Sequence, residues 1–198
     1  MKRFVQIFSP VKTHIALLLG GIAVDQATKF WAVHSLGDLK AIDGFMYSRN
    51  PMEIVGQWFQ FNLAYNKGAA FSVAPQQLLP FLHPTLFFTL VTLVAFGGLA
   101  ILYKRRPFPH FSTRLGVALV ISGGIGNLLD RWRLGRVVDF ISVGVPDMTW
   151  RWPTFNIADS LICVGVGLLV LADNLDVSLF KTRESAGEVP VEITEAGR

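Results

Sequence analysis

Residues 115–140 read LGVALVISGGIGNLLDRWRLGRVVDF. The first part is apolar and glycine-rich. Asn127, Asp130 and Arg131 then close it, and Asp139 follows between Val137-Val138 and Phe140-Ile141. Residues 154–172, TFNIADSLICVGVGLLVLA, are nearly a mirror image, with Asn156 and Asp159 at the start and an apolar run after them. Polar groups therefore gather at one end of each segment, where the chain leaves the first and enters the second. About 20 apolar residues cross the hydrocarbon of a bilayer, and any such segment must be helical because its backbone groups find no water there. The pattern reads as a pair of membrane helices with their acids at a common surface.

Two more apolar segments lie upstream, about 14–36, interrupted by Asp25 and Lys29, and about 84–103, which carries no charge. With 115–131 and 154–172 this makes four expected transmembrane helices in one domain, residues 1–183. A small, acidic tail, 184–198, is expected to be disordered. Composition agrees: 52% of the 198 residues are hydrophobic, 16% are charged and mean hydropathy is +0.45, against about 25% charged in soluble domains. The first segment starts like a secretory signal, but no small-x-small cleavage pattern follows and its helical pattern continues through Phe30-Trp31-Ala32-Val33, so it reads as retained. Between the first two helices, about 37–77, Trp58 to Tyr65 has partly alternating aromatic character and reads as one or two short strands, with Asn66-Lys67-Gly68 as a turn.

Basic residues flank three loops on one side. They are Lys2, Arg3 and Lys12 before the first helix, Lys104, Arg105, Arg106 and Arg114 between the second and third, and Lys181 and Arg183 after the fourth. The positive-inside rule puts both termini in the cytoplasm and the 37–77 region outside. Arg131, Arg133, Arg136 and Arg151 lie on the opposite side, where Asp130, Asp139 and Asp147 are at hand as partners. Basic residues spread in this way do not form a nucleic-acid groove.

An ionisable group at membrane depth costs about 2.5 kcal/mol or more, so each such group needs a partner or a function. Asp25 and Lys29, at i and i+4, form either an intrahelical ion pair or a substrate contact. Asn127 and Arg131 share a face and fit a polar cavity wall, while Ser122 and Gly126 fit a packing seam. Asn156, Asp159 and Ser160 share a face. Asp139 and Asp159 can meet at the outer surface, where two acids that share a site hold one proton between them. Such a pair can activate water and protonate a leaving amine, as in peptide hydrolysis.

Rival chemistries have less in their favour. The four histidines, His14, His34, His83 and His110, are scattered, so no metal site is expected. Cys163 reads as a small apolar filler. A Ser–Lys pair would join Ser72 to Lys67 or Lys29, but Lys67 sits in a solvated turn. A transporter needs polar residues through the full membrane depth, and an assembly factor gives no reason for two acids in apolar frames.

Four motifs occur in order: Asp25-Gln26-Ala27-Thr28-Lys29, Asn66-Lys67-Gly68-Ala69-Ala70-Phe71-Ser72, Gly126 to Arg131 continuing to Val138-Asp139-Phe140, and Phe155 to Ser160. Over about residues 14–175 the chain resembles the bacterial lipoprotein signal peptidases, or signal peptidase II. The resemblance implies four transmembrane helices with a small extracytoplasmic β-sheet cradle. It also implies an aspartic endopeptidase of the cytoplasmic membrane, which removes signal peptides from prolipoproteins by cutting before a diacylglyceryl-cysteine. Asp139 and Asp159 would be the catalytic pair, with Asp25, Lys29, Asn66, Gly68, Asn127, Arg131 and Asn156 lining or supporting the substrate pocket. No cofactor is implied, and the expected partners are prolipoproteins and membrane lipids, with the enzyme a monomer. Leu39–Val55 is longer than is usual in the family.

Overall fold

The computed structural model describes residues 10–42, 45–68, 82–104, 111–146 and 150–171. The 184–198 tail, the end of the 37–77 region with Ser72, and the charges at Lys2, Arg3, Arg105, Arg106, Asp147, Lys181 and Arg183 lie outside the described residues.

The elements are helix α1 (Pro10–Ser35), strands β1 (Leu39–Ile42), β2 (Phe45–Ser48), β3 (Met52–Val55) and β4 (Phe59–Asn66), helices α2 (Pro84–Lys104) and α3 (Phe111–Leu134), strand β5 (Val137–Val143) and helix α4 (Ile157–Leu171). By length and composition α2 and α3 are able to cross a membrane, with mean hydropathy 2.0 and 1.2 in their apolar windows. In α1 the apolar run is broken by buried polar residues, and α4 is apolar but shorter.

Each boundary has a local cause. Pro84 opens α2, where a missing N–H costs nothing. Gly135 closes α3 at φ 68°, its N–H donating to Arg131 O at 3.0 Å, which turns the chain sharply into β5. The α4 helix starts at Ile157 rather than at 154, because Asn156 is its cap: Asn156 Oδ1 accepts from the Asp159 N–H at 3.0 Å, and Asp159 Oδ2 accepts from the Asn156 N–H at 3.1 Å. This reciprocal pair is a capping box with Asp at its third helical position.

The sheet is larger than the sequence indicates. Leu39–Val55 forms three strands, and Val137–Val143, read as an apolar frame around Asp139, is a strand antiparallel to β4. The order is β1-β2-β4-β3, with β5 also paired to β4. The register sets Asp139 opposite Ala64 and Val137 opposite Asn66. Asn66 and Asp139 are thus diagonal neighbours on one face, close enough for side chains to meet. Ala32 of α1 and Leu36 just beyond its end pack with Leu63, Val138 and Phe140 of the sheet as a buried cluster, and Ser48 Oγ donates to Leu36 O at 2.8 Å.

α3 is the central helix. Ser122 Oγ lies 3.0 Å from Leu18 O of α1 and 2.7 Å from its own Ala118 O. Gly123 faces the Ala158 backbone of α4, Gly124 faces Phe96 of α2, and Gly126 faces the Asp25 carboxylate of α1. The glycines therefore work as a packing seam, as expected of small residues at membrane helix interfaces. Outward residues are apolar, with Leu90, Val94 and Ile101 of α2 among the exposed side chains, as suits a lipid solvent.

A Cβ at Gly123 collides with rigid Ala158 backbone, whereas Gly20 faces open space. Gly123→Ala is expected to lower stability by about 1–3 kcal/mol. Gly20→Ala should be neutral or slightly stabilising, since Ala is the better helix former by about 1 kcal/mol. Thermal unfolding in detergent measures both.

Candidate active site

The sheet-side ends of α1, α3 and α4 and the β4–β5 pair converge on two carboxylates. Asp139 on β5 is 2% exposed, and Asp159 in the first turn of α4 is half-buried. Asn156 joins them: its Nδ2 donates to Asp139 Oδ1 at 2.7 Å, and its backbone N–H donates to Asp159. Asn66 Nδ2 donates to the other Asp139 oxygen at 3.1 Å. Asn127 Nδ2 donates to Asp159 Oδ1 at 2.8 Å. Each acid's orientation is therefore set by N–H donors from amides.

Burial holds the Asp139 carboxyl up at about 7, and the facing charge of Asp159 adds to this. The hydrogen bonds from Asn66 and Asn156, and the more distant charge of Lys29, pull the other way. At neutral pH Asp139 is thus poised between its acid and its carboxylate. Arg131 of α3 stands within electrostatic range of both acids. Its guanidinium lies over Phe88 at 4.0 Å and donates to Gly68 O at 3.4 Å. Gly68 in turn donates its N–H to Asn66 Oδ1 at 2.9 Å, which completes the rim.

Asp25 and Lys29 sit behind this pair and not in its mouth, at 0% and 3% exposed. They do form the intrahelical pair, at 2.9 Å, but each has a second task. Asp25 Oδ1 accepts the Ala158 N–H at 2.9 Å, satisfying an orphan donor of α4. Lys29 Nζ also donates to Asn127 Oδ1 at 3.0 Å and pairs with Asp130 at 2.9 Å. Asp130, absent from the residues singled out by sequence, is 2% exposed and accepts the Val138 N–H at 3.1 Å, directly beside Asp139. The signal was present: Asp130 lies in an apolar segment like the other acids, but in the sequence it looked like a partner for the loop arginines. Those arginines have other contacts among the described residues. Arg133 donates to Gln26 at 3.2 Å, Arg136 lies over Tyr65 at 3.8 Å, and Arg151 donates to Gln57 O at 2.7 Å.

One expectation is corrected. Cys163 is exposed and is not a core filler. It lines an apolar cleft of about 650 Å³ together with Trp152, Phe155, Ile162 and Asp159 itself. A hydrophobic ligand lying there would touch one carboxylate of the pair.

Asp139 prefers its proton in the folded chain up to about pH 7, whereas the same carboxyl in the unfolded chain loses it near 3.8. Its contribution to stability is therefore full below about 3.8, falls as pH rises, and is gone above about 7. The stability difference between wild type and Asp139→Asn is expected to fall across this window and level off above it, as read by unfolding from pH 4 to 8.

The family described as signal peptidase (SPase) II matches residues 17–174. The lipoprotein signal peptidase of Geobacter sulfurreducens is 38% identical over 156 residues, covering 79% of this chain and 88% of that one. That of Syntrophotalea carbinolica is 40% identical over 154 residues, covering 76% and 84%. Among solved structures, a bacterial membrane enzyme determined in meso at 2.3 Å superposes with a TM-score of 0.66 at 24% identity, covering 85% of this chain and 92% of its own. At that identity the likeness establishes the fold.

Proposed function

This chain belongs to the signal peptidase II family, and on that premise we propose that Asp139 and Asp159 are its catalytic pair. It is a membrane peptidase that removes signal peptides from prolipoproteins. The observation that carries the proposed pair is the Asn156 bridge, which holds two acids in one amide-lined site while burial keeps one of them protonated near neutrality.

In this reading the charge of the pair sits on Asp159, which accepts two N–H hydrogen bonds, and the shared proton sits on Asp139. Asp159 takes a proton from water as the water oxygen adds to the scissile carbonyl carbon, and Asp139 gives its proton to the carbonyl oxygen. Collapse of the tetrahedral diol breaks the C–N bond. Asp159 passes its proton to the leaving nitrogen, and Asp139 recovers one from the diol hydroxyl. The products are a peptide carboxylic acid and the free amine of the lipid-modified cysteine.

Asn66, Gly68, Asn127, Arg131 and Asn156 shape the pocket. Asp25 and Lys29 act through Asn127 and α4 and do not touch substrate. The apolar cleft beside Asp159 suits a substrate held by acyl chains, because its scissile bond then stays near the hydrocarbon boundary. The enzyme is expected to act as a monomer. The remaining reading is four membrane-crossing helices in the cytoplasmic membrane, both termini cytoplasmic and the sheet outside. It is supported by the basic residues Lys12, Lys104 and Arg114, which lie at the ends of α1, α2 and α3 remote from the sheet.

Folded Asp139→Asn and Asp159→Asn proteins are each expected to lose at least about 10³-fold in cleavage of a lipidated prolipoprotein. Wild-type rates in either would refute the pair. The wild-type rate should be bell-shaped in pH and decline above about 7 as the pair loses its shared proton. For topology, Val55 is 60% exposed on the sheet. A Val55→Cys, Cys163→Ser chain should react with an impermeant thiol reagent in intact cells. Labelling that requires permeabilisation would reverse the orientation.

A further inference from the structure

At the opposite end of the bundle from the acids, α1, α2 and α3 enclose a cleft of about 180 Å³. Its polar rim is His14, Tyr103 and Arg114, and its deeper wall is Ile15, Leu18 and Val117. His14 Nε2 and Arg114 Nε are buried yet have no hydrogen-bond partner among the described residues, and the same holds for Oγ1 of the adjacent Thr113, a residue only 5% exposed. Unpaired buried polar atoms are rare in folded chains, and these call for a partner that none of the described residues provides.

The nature of that partner follows from charge. A guanidinium has donors only, so it requires an acceptor. Residues 1–24 and 84–129, which contain these helix ends, hold no Asp or Glu at all. Lys12 and Lys104, both exposed, add further positive charge at the same end. A cation with no carboxylate in the adjoining stretches of its own helices, set at headgroup depth between membrane segments, is complementary to a lipid phosphate. The volume admits a phosphate with part of its glycerol, and the apolar wall leads from it toward the bilayer centre, where acyl chains run.

We propose that this cleft binds the headgroup phosphate of an anionic phospholipid in the cytoplasmic leaflet, with Arg114 and His14 as its donors. The site ties together the inner ends of three helices, where no strand lies among the described residues. The choice of leaflet rests on the proposed orientation, but the site itself does not depend on the catalytic pair.

The test uses purified full-length protein in detergent. Lipid retention is read by native mass spectrometry, and thermal unfolding is followed with added phosphatidylglycerol, phosphatidylcholine or inorganic phosphate. Phosphatidylglycerol should be retained preferentially and raise the unfolding temperature. Arg114→Gln should weaken its retention roughly tenfold, as expected for loss of a charge-assisted contact. Lys104→Gln and Asp139→Asn should retain it like wild type. If Arg114→Gln does not fold, the milder His14→Gln replaces it, and a clear loss of retention is again the expected result. The proposal is overturned by unchanged retention in these variants or by equal loss in Lys104→Gln, which would signal surface charge alone. It is equally overturned if inorganic phosphate or phosphatidylcholine stabilises as strongly, or if phosphatidylglycerol binds only once residues 184–198 are removed, which would give the cleft to the chain's own acidic tail.

Discussion

The first turn of α4 begins at the edge of the apolar layer, and its backbone N–H groups must find acceptors there. Water cannot serve inside a packed bundle, so carboxylates and amides do: Asp25 for Ala158, Asn156 for Asp159, and Asp159 in return for Asn156. The site grows out of this requirement. A capping box places one acid at the third position of the helix, and the same Asn that caps the helix reaches across to the second acid on β5. Structure and chemistry share their atoms, so the acids cannot drift without undoing the start of a helix.

Behind them, Lys29 lies between Asp25 and Asp130, both at 2.9 Å. Buried ion pairs are weak evidence for stability, because desolvation offsets most of the attraction. Here the cluster's value is geometric. Lys29 orients Asn127, which orients Asp159, and Asp130 grips the backbone beside Asp139. The glycines of α3 make the arrangement sterically feasible, since a side chain at Gly126 would occupy the place of the Asp25 carboxylate.

Much of this was legible in the chain. The apolar segments, the one-sided placement of acids and the capping pattern Asn156-x-x-Asp159 are local, with periods of a helical turn. Strand β5 was not legible, because Val137-Val138-Asp139-Phe140-Ile141 is a short run whose partner, β4, lies more than 70 residues away. Leu39–Val55 hid its strands for a related reason: each is only four residues long, and every position of β3 is exposed, so no burial alternation marks it. The burial of Asp130 was equally hidden, since the residue to which it binds belongs to another helix.

By itself the sequence determined that this is a membrane protein, which segments are apolar helices, and which acids lie at their polar ends. These are properties of composition and short-range spacing. Only the tertiary structure decided which acids face one another, which are closed off behind them, and how Asn156 holds the pair. Those depend on strand register and on helices brought within hydrogen-bonding reach, and a hydrogen bond between residues a hundred positions apart leaves no period in the chain to read.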